Sequence, residues 1–146
     1  MASAAAAVLL LGASVALAPS AVGDTADSLR AAVTQLRGSS CGGLRSNPIV
    51  EQAALNVNQS TDKWVDFTAR AVPVPDAVPL LKDLGYGGSK AAMVFGAGQT
   101  EARAMKGLLL EGYKDIPDCS YTDFGASVLT NQTNGNFLMA VVLAGP

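Results

Sequence analysis

Two apolar runs near the C-terminus, Phe124 to Leu129 and Phe137 to Leu143, flank a polar stretch from Thr130 to Asn136 that contains Asn134-Gly135. That pair is favoured where both turn residues need positive φ, so the pattern predicts an antiparallel hairpin. A hairpin is marginal alone, and its apolar side must be covered by other elements. The upstream sequence supplies helices to cover it. Asp24 or Thr25 is placed to cap a helix carrying Leu29, Ala32, Val33 and Leu36 on one stripe, with Arg30 and Arg37 off it. Gly38-Ser39-Ser40 ends that segment. The second helix has the clearest start in the chain, with Asn47 as cap and Pro48 at the first helical position, where a missing N–H costs nothing. Its apolar face runs through Val50, Ala53, Ala54, Val57 and Trp64 and is expected to continue toward Phe67.

Pro73, Pro75 and Pro79 then exclude a regular helix or a central strand and predict a rigid connection. A short helix is expected over Leu80 to Leu84, stopped by Gly85-Tyr86-Gly87-Gly88, and a strand over Ala91 to Phe95. Thr100 caps a helix through Ala104, Leu108 and Leu109 toward Tyr113, closed by Pro117. Helices first and a hairpin last, with too few strands for a barrel, give an α+β fold in which helices pack on a small antiparallel sheet.

Met1 to Gly23 carries no charged side chain, and all 10 Lys/Arg and 12 Asp/Glu follow it. The run Ala4 to Ala18 has the length of a signal-peptide h-region and is short for a membrane span, which needs ~20 apolar residues. Small residues at Ala21-Val22-Gly23 suit cleavage near Gly23, giving a leader over 1–23 and one domain over 24–146. The n-region has no Lys or Arg, and a retained anchor is the other reading. Cys41 and Cys119 are 78 residues apart, too far for a CxxC redox motif and too few for a zinc site. In an exported protein such a pair most simply forms a disulfide, stabilising by about 4 kcal/mol through loop closure. Two buried thiols are the alternative if the chain is not exported.

The order of local signals in the mature chain resembles a known family. Leu29 to Arg37, followed by Cys41-Gly42-Gly43-Leu44-Arg45-Ser46-Asn47-Pro48 and the Ala-rich start of the second helix, resembles the opening of a CAP domain, the SCP or pathogenesis-related-1-like superfamily. Leu84-Gly85-Tyr86 is similar to the Gly-Tyr before that family's glutamate-containing strand. Gly98 to Ala102 is similar to the entry of its next helix, and Tyr121 to Val128 to its Tyr-x-x-x-Gly-x-Gly strand. The arrangement resembles that of small exported CAP-like proteins of mycobacteria and their relatives. It implies an α-β-α sandwich and an exported or cell-envelope location.

The departures from that pattern constrain function. The chain has 0 His. The family's two histidines would fall near Phe67 and near Gly112, and Ala91-Ala92-Met93-Val94 lacks the expected Glu-Asn pair. No metal can be held by imidazoles here, so no metal and no cofactor are expected. If the family's cleft survives, Phe67 makes it more apolar, with Tyr86, Gly112 and Tyr113 as further ligand-binding candidates; otherwise Phe67 fills the core.

Other chemistry has thin support. Asp62 and Asp66 share a helix face and could pair as acid and base, though such carboxylates are usually solvated. Asp115, Asp118 and Asp123 around Cys119 are too few for a calcium loop. Ser39, Ser40 and Ser120 have no histidine to activate them, and a lysine base would need burial. Gly85 to Gly88 lacks the Lys-Ser/Thr ending of a phosphate loop. Asn58-Gln59-Ser60 and Asn131-Gln132-Thr133 fit the glycosylation sequon, which matters only in a eukaryotic secretory route. An excess of acidic over basic residues and singly scattered cations disfavour nucleic acid. The expectation is a non-enzymatic exported domain that binds a sterol, a fatty acid or another lipid, or an envelope or host protein. A hydrolase working through carboxylates alone and a purely structural envelope protein are the alternatives.

Overall fold

The structure is a computed structural model and describes residues 22–146, with side chains from Thr25 onward. The expected leader lies outside the described residues apart from Val22 and Gly23, which open the first helix. In chain order the elements are α1 (Val22–Arg37), β1 (Arg45–Ser46), α2 (Pro48–Val65), α3 (Ala77–Asp83), β2 (Lys90–Gly98), α4 (Glu101–Glu111), β3 (Asp123–Thr130) and β4 (Phe137–Gly145). No described helix is long and apolar enough to cross a membrane.

The sheet order is β1-β3-β4-β2. β4 pairs antiparallel with both β2 and β3, while β1 pairs parallel with β3, so the sheet is mixed rather than wholly antiparallel. Side chains of β4 alternate between two cores, as a strand buried on both faces requires. Met139, Val141 and Leu143 join Leu29 and Val33 of α1 and Ala104 and Leu108 of α4 on one face. Ala140, Val142 and Ala144 join Val50, Ala53, Ala54 and Val57 of α2 and Leu81 of α3 on the other. The result is the expected α-β-α sandwich. Small side chains on both partners bring α2 close to the sheet. At Gly125 a Cβ would strike the backbone of Val50 and Glu51, and at Gly96 it would lie 2.8 Å from Leu108 Cβ of α4. Each helix layer is therefore seated on a glycine of the sheet.

Asn47 caps α2 by accepting from Ile49 N at 2.9 Å, with Pro48 opening the helix, and Thr100 caps α4 by accepting from Arg103 N at 3.3 Å. Several details differ from expectation, among them β2, which runs from Lys90 to Gly98 rather than from Ala91 to Phe95. α1 begins at Val22, so Asp24 and Thr25 lie inside the helix rather than capping it. α3 begins at Ala77 and ends at Asp83 instead of spanning Leu80 to Leu84: Asp76 accepts from Val78 N at 2.8 Å, and Pro79 sits in the first turn, where no intrahelical N–H is required. The hairpin forms, but its connection is a loop in which Gly135 alone of the Asn-Gly pair has positive φ, with Asn131 N donating to Asn136 O at 2.8 Å.

The C-terminal end of α1 is tied to the strand-entry loop by a buried cation. The Arg37 guanidinium, 4% exposed, donates to the carbonyls of Ile116, Asp118 and Tyr121 at 3.0, 2.6 and 2.8 Å and to Gly42 O at 3.3 Å. Cys41 and Cys119 form the expected disulfide beside it, with Cα atoms 5.1 Å apart.

Candidate functional site

The four candidate ligand residues do not form one site. α2 does not continue to Phe67: it ends at Val65, Trp64 is 47% exposed, and Phe67 is 97% exposed. Phe67 N donates to Trp64 O and Thr68 N to Lys63 O, a Schellman-type stop in which Phe67 takes φ 56°. That conformation favours glycine over a side chain with a Cβ. Replacing Phe67 by Gly is therefore expected to raise stability by about 1 kcal/mol, read as a higher urea midpoint at unchanged slope. Gly112 caps α4 on the opposite face of the sheet, where a Cβ would meet Ile116 Cδ1 at 2.7 Å and Val94 Cγ1 at 2.8 Å. Because α2 and α4 cover opposite faces, a single cleft lined by both Phe67 and Gly112 does not exist.

Tyr86 stands apart from both. Its O–H donates to Asp123 Oδ2 at 2.7 Å, and Asp123 Oδ1 is paired with Arg45 Nε at 2.9 Å. Burial pushes the Tyr86 phenol up to about 12, helped by that donated hydrogen bond to a carboxylate. Both carboxylate oxygens of Asp123 are engaged, so the cluster joins the Gly-Tyr loop to the start of β3 and leaves no base.

The carboxylate pair also has a structural partner. Asn131 Nδ2 donates to Asp62 Oδ1 at 2.8 Å and to Asp66 Oδ1 at 2.9 Å, while its Oδ1 accepts from Thr133 N and Asn134 N at 3.1 and 2.9 Å. This fully buried amide, missed by sequence reasoning, clamps the hairpin loop onto the end of α2. Asn58 is 1% exposed and donates through Nδ2 to Ser127 O, Ser127 Oγ and Leu138 O. Both sequon asparagines are thus enclosed and hydrogen-bonded, which leaves no room for a glycan.

A lysine does meet a serine hydroxyl. Lys90 Nζ donates to Ser120 Oγ and to Asp118 Oδ2, the latter at 3.2 Å, and lies 4.4 Å from the centre of the Tyr121 ring. A lysine base must have its nitrogen free to take a proton, whereas this Nζ is engaged by two oxygens and lies over an aromatic face. The Ser120 backbone N–H and hydroxyl, with Lys90, hold the Asp118 carboxyl down to about 2. The contact fastens β2 to the strand-entry loop. Among the described residues no group of three or more acidic or Cys side chains could hold a metal ion.

Tyr113 lies in a different setting. With Leu36 of α1 and Ala102, Met105, Leu109 and Leu110 of α4 it lines a groove of about 530 Å³, with Lys106 as the charged member. Leu110 is 64% and Tyr113 58% exposed, a large apolar display for two helices whose inner faces are already packed. Lys106 makes no ion pair among the described residues. Leu36 and Leu109 follow the helical periodicity read from the sequence, but only the packing of α1 beside α4 brings them together.

No family model and no curated protein matches the sequence. Solved structures do. An outer surface protein from Borrelia burgdorferi superposes with a TM-score of 0.67 at 12% identity, covering 86% of this chain and 95% of that one. A cysteine-rich secretory protein from Staphylococcus aureus gives 0.62 at 12% identity, covering 88% of this chain and 40% of that longer protein. A venom allergen-like protein of Schistosoma mansoni gives 0.52 at 14% identity and 85% coverage of each. The order of elements, the layers and these superpositions agree: the chain has a CAP-like fold.

Proposed function

We propose that this protein is an exported, non-enzymatic CAP-like domain that binds a single-chain lipid in the groove between α1 and α4. The observation that carries the reading is the groove's lining, in which Lys106 is the one charged member among Leu36, Ala102, Met105, Leu109, Leu110 and Tyr113. An apolar trough with one cation at its rim suits an acyl chain ending in a carboxylate better than a neutral sterol. Export is supported by the outer surface and secretory proteins that share the fold and by the disulfide, which persists in oxidising compartments. A carboxylate hydrolase is disfavoured because Asp62 and Asp66 are directed at Asn131. Titration with palmitate is expected to saturate at one molecule per chain, and Ala102→Trp, which fills the trough from an exposed helix position, is expected to weaken binding at least about tenfold, the equivalent of 1.4 kcal/mol. Equal binding by the variant, or preference for cholesterol, would count against the reading.

A further inference from the structure

The outer edge of β3 is occupied at its start and open beyond. Arg45 N and Asn47 N donate to the carbonyls of Thr122 and Phe124 at 2.9 and 3.1 Å. The N–H and C=O of one strand residue point to the same side, and alternate residues share an edge. Ala126 and Val128 therefore present their main-chain groups to the edge that β1 occupies, just past its end. At Asn47 the chain turns away into α2, and the Asn47 carbonyl is taken by Glu51 N at 2.8 Å. Further on, the Thr130 carbonyl is taken by Gln132 Nε2 at 2.8 Å. Among the described residues the outward groups of Ala126 and Val128 have no partner, although these residues are only 5% and 7% exposed. Beside them runs a trough of about 530 Å³ lined by Ser46, Pro48, Gln52, Leu55 and Ser127, with Glu51 at its side.

We propose that this edge receives an extended polypeptide segment of a partner protein as an added strand in line with β1. Donors and acceptors alternating at strand spacing are matched by another extended main chain and by no lipid. A second copy of this chain does not fit. Ala126 and Val128 are nearly covered beside α1 and α2, which the Arg30–Glu51 pair ties together at 2.9 Å, so the edge is not the flat, open one that edge-to-edge pairing of two copies uses. A slim single strand enters where a folded edge cannot. Pro48 and Leu55 offer one of its side chains an apolar seat.

The test is selection of linear 12-residue peptides displayed on phage against the protein, followed by titration of the selected peptide into isotopically labelled protein. The amide signals of Ala126 and Val128 are expected to shift and their hydrogen exchange to slow. N-methylation at alternate peptide positions, and Gln52→Trp on the exposed side of α2, should each weaken binding at least about tenfold. Failure to select any peptide, binding that leaves those two amides unchanged, or tolerance of N-methylation at every position would overturn the proposal.

Discussion

Replacing Arg37 by Met is expected to destabilise the fold by about 3 kcal/mol or more, enough to lower the melting temperature by on the order of 10 °C. Among the described residues the buried guanidinium has no carboxylate partner, and its charge is solvated instead by the carbonyls of Gly42, Ile116, Asp118 and Tyr121. Methionine approximates the volume of the stem but leaves these acceptors without their donor, the carbonyls of Ile116 and Tyr121 in buried positions. Arg37→Lys tests the geometry separately, because one ammonium on a flexible stem cannot reproduce the fork that spans three carbonyls of the 116–121 loop. It should recover part of the stability and no more. The disulfide joins the same two segments, so loss of Arg37 should cost more after reduction than before; equal losses in the two states would show that the tethers act independently.

Gly125→Ala is the second large effect. A single methyl there points at the backbone of Val50 and Glu51, which cannot rotate aside as a side chain would. α2 must lift off the sheet, and with it the contacts of Val50, Ala53, Ala54 and Val57 against Ala140 and Val142. The expected loss is about 3 kcal/mol, at the upper end of ordinary overpacking. Gly107→Ala provides the contrast. Gly107 lies in α4 with nothing closer than 3.9 Å to an added Cβ, so helix propensity should dominate and stability should rise by about 0.5–1 kcal/mol. Urea unfolding of the two variants gives opposite signs if the seating of α2 on Gly125 is as described.

Much of this architecture is legible in the residues. Asn47-Pro48 announces α2 because cap chemistry is local, and the runs around Thr130 to Asn136 announce β3 and β4 because alternation and turn residues are local too. α3 is partly hidden, since Pro79 is a breaker in a helix interior and harmless in a first turn, and only the Asp76 cap distinguishes the two. β1 is illegible: Arg45 and Ser46 are exposed and polar, and they form a strand solely because β3 offers an edge there.

Site residues divide along the same line. Tyr113 is legible as a ligand candidate, but its companion Leu36 reads as a core position because the sequence does not tell how α1 leans on α4. A cleft shared by Phe67 and Gly112 is an expectation from the resemblance alone; the alternation of β4 between two cores puts α2 and α4 on opposite faces. Asn131 and the β3 edge leave no sequence signal, because each depends on contacts between segments far apart in the chain.

The central claim is that the α1–α4 groove is the lipid site, and photo-crosslinking tests it most directly. A palmitate analogue with a diazirine near its methyl end, irradiated with the protein and mapped by peptide mass spectrometry, is expected to label Leu36, Met105, Leu109 or Tyr113, with labelling suppressed by excess palmitate and by Ala102→Trp. Saturable labelling confined to other surfaces, or labelling that neither competitor nor variant suppresses, would contradict it.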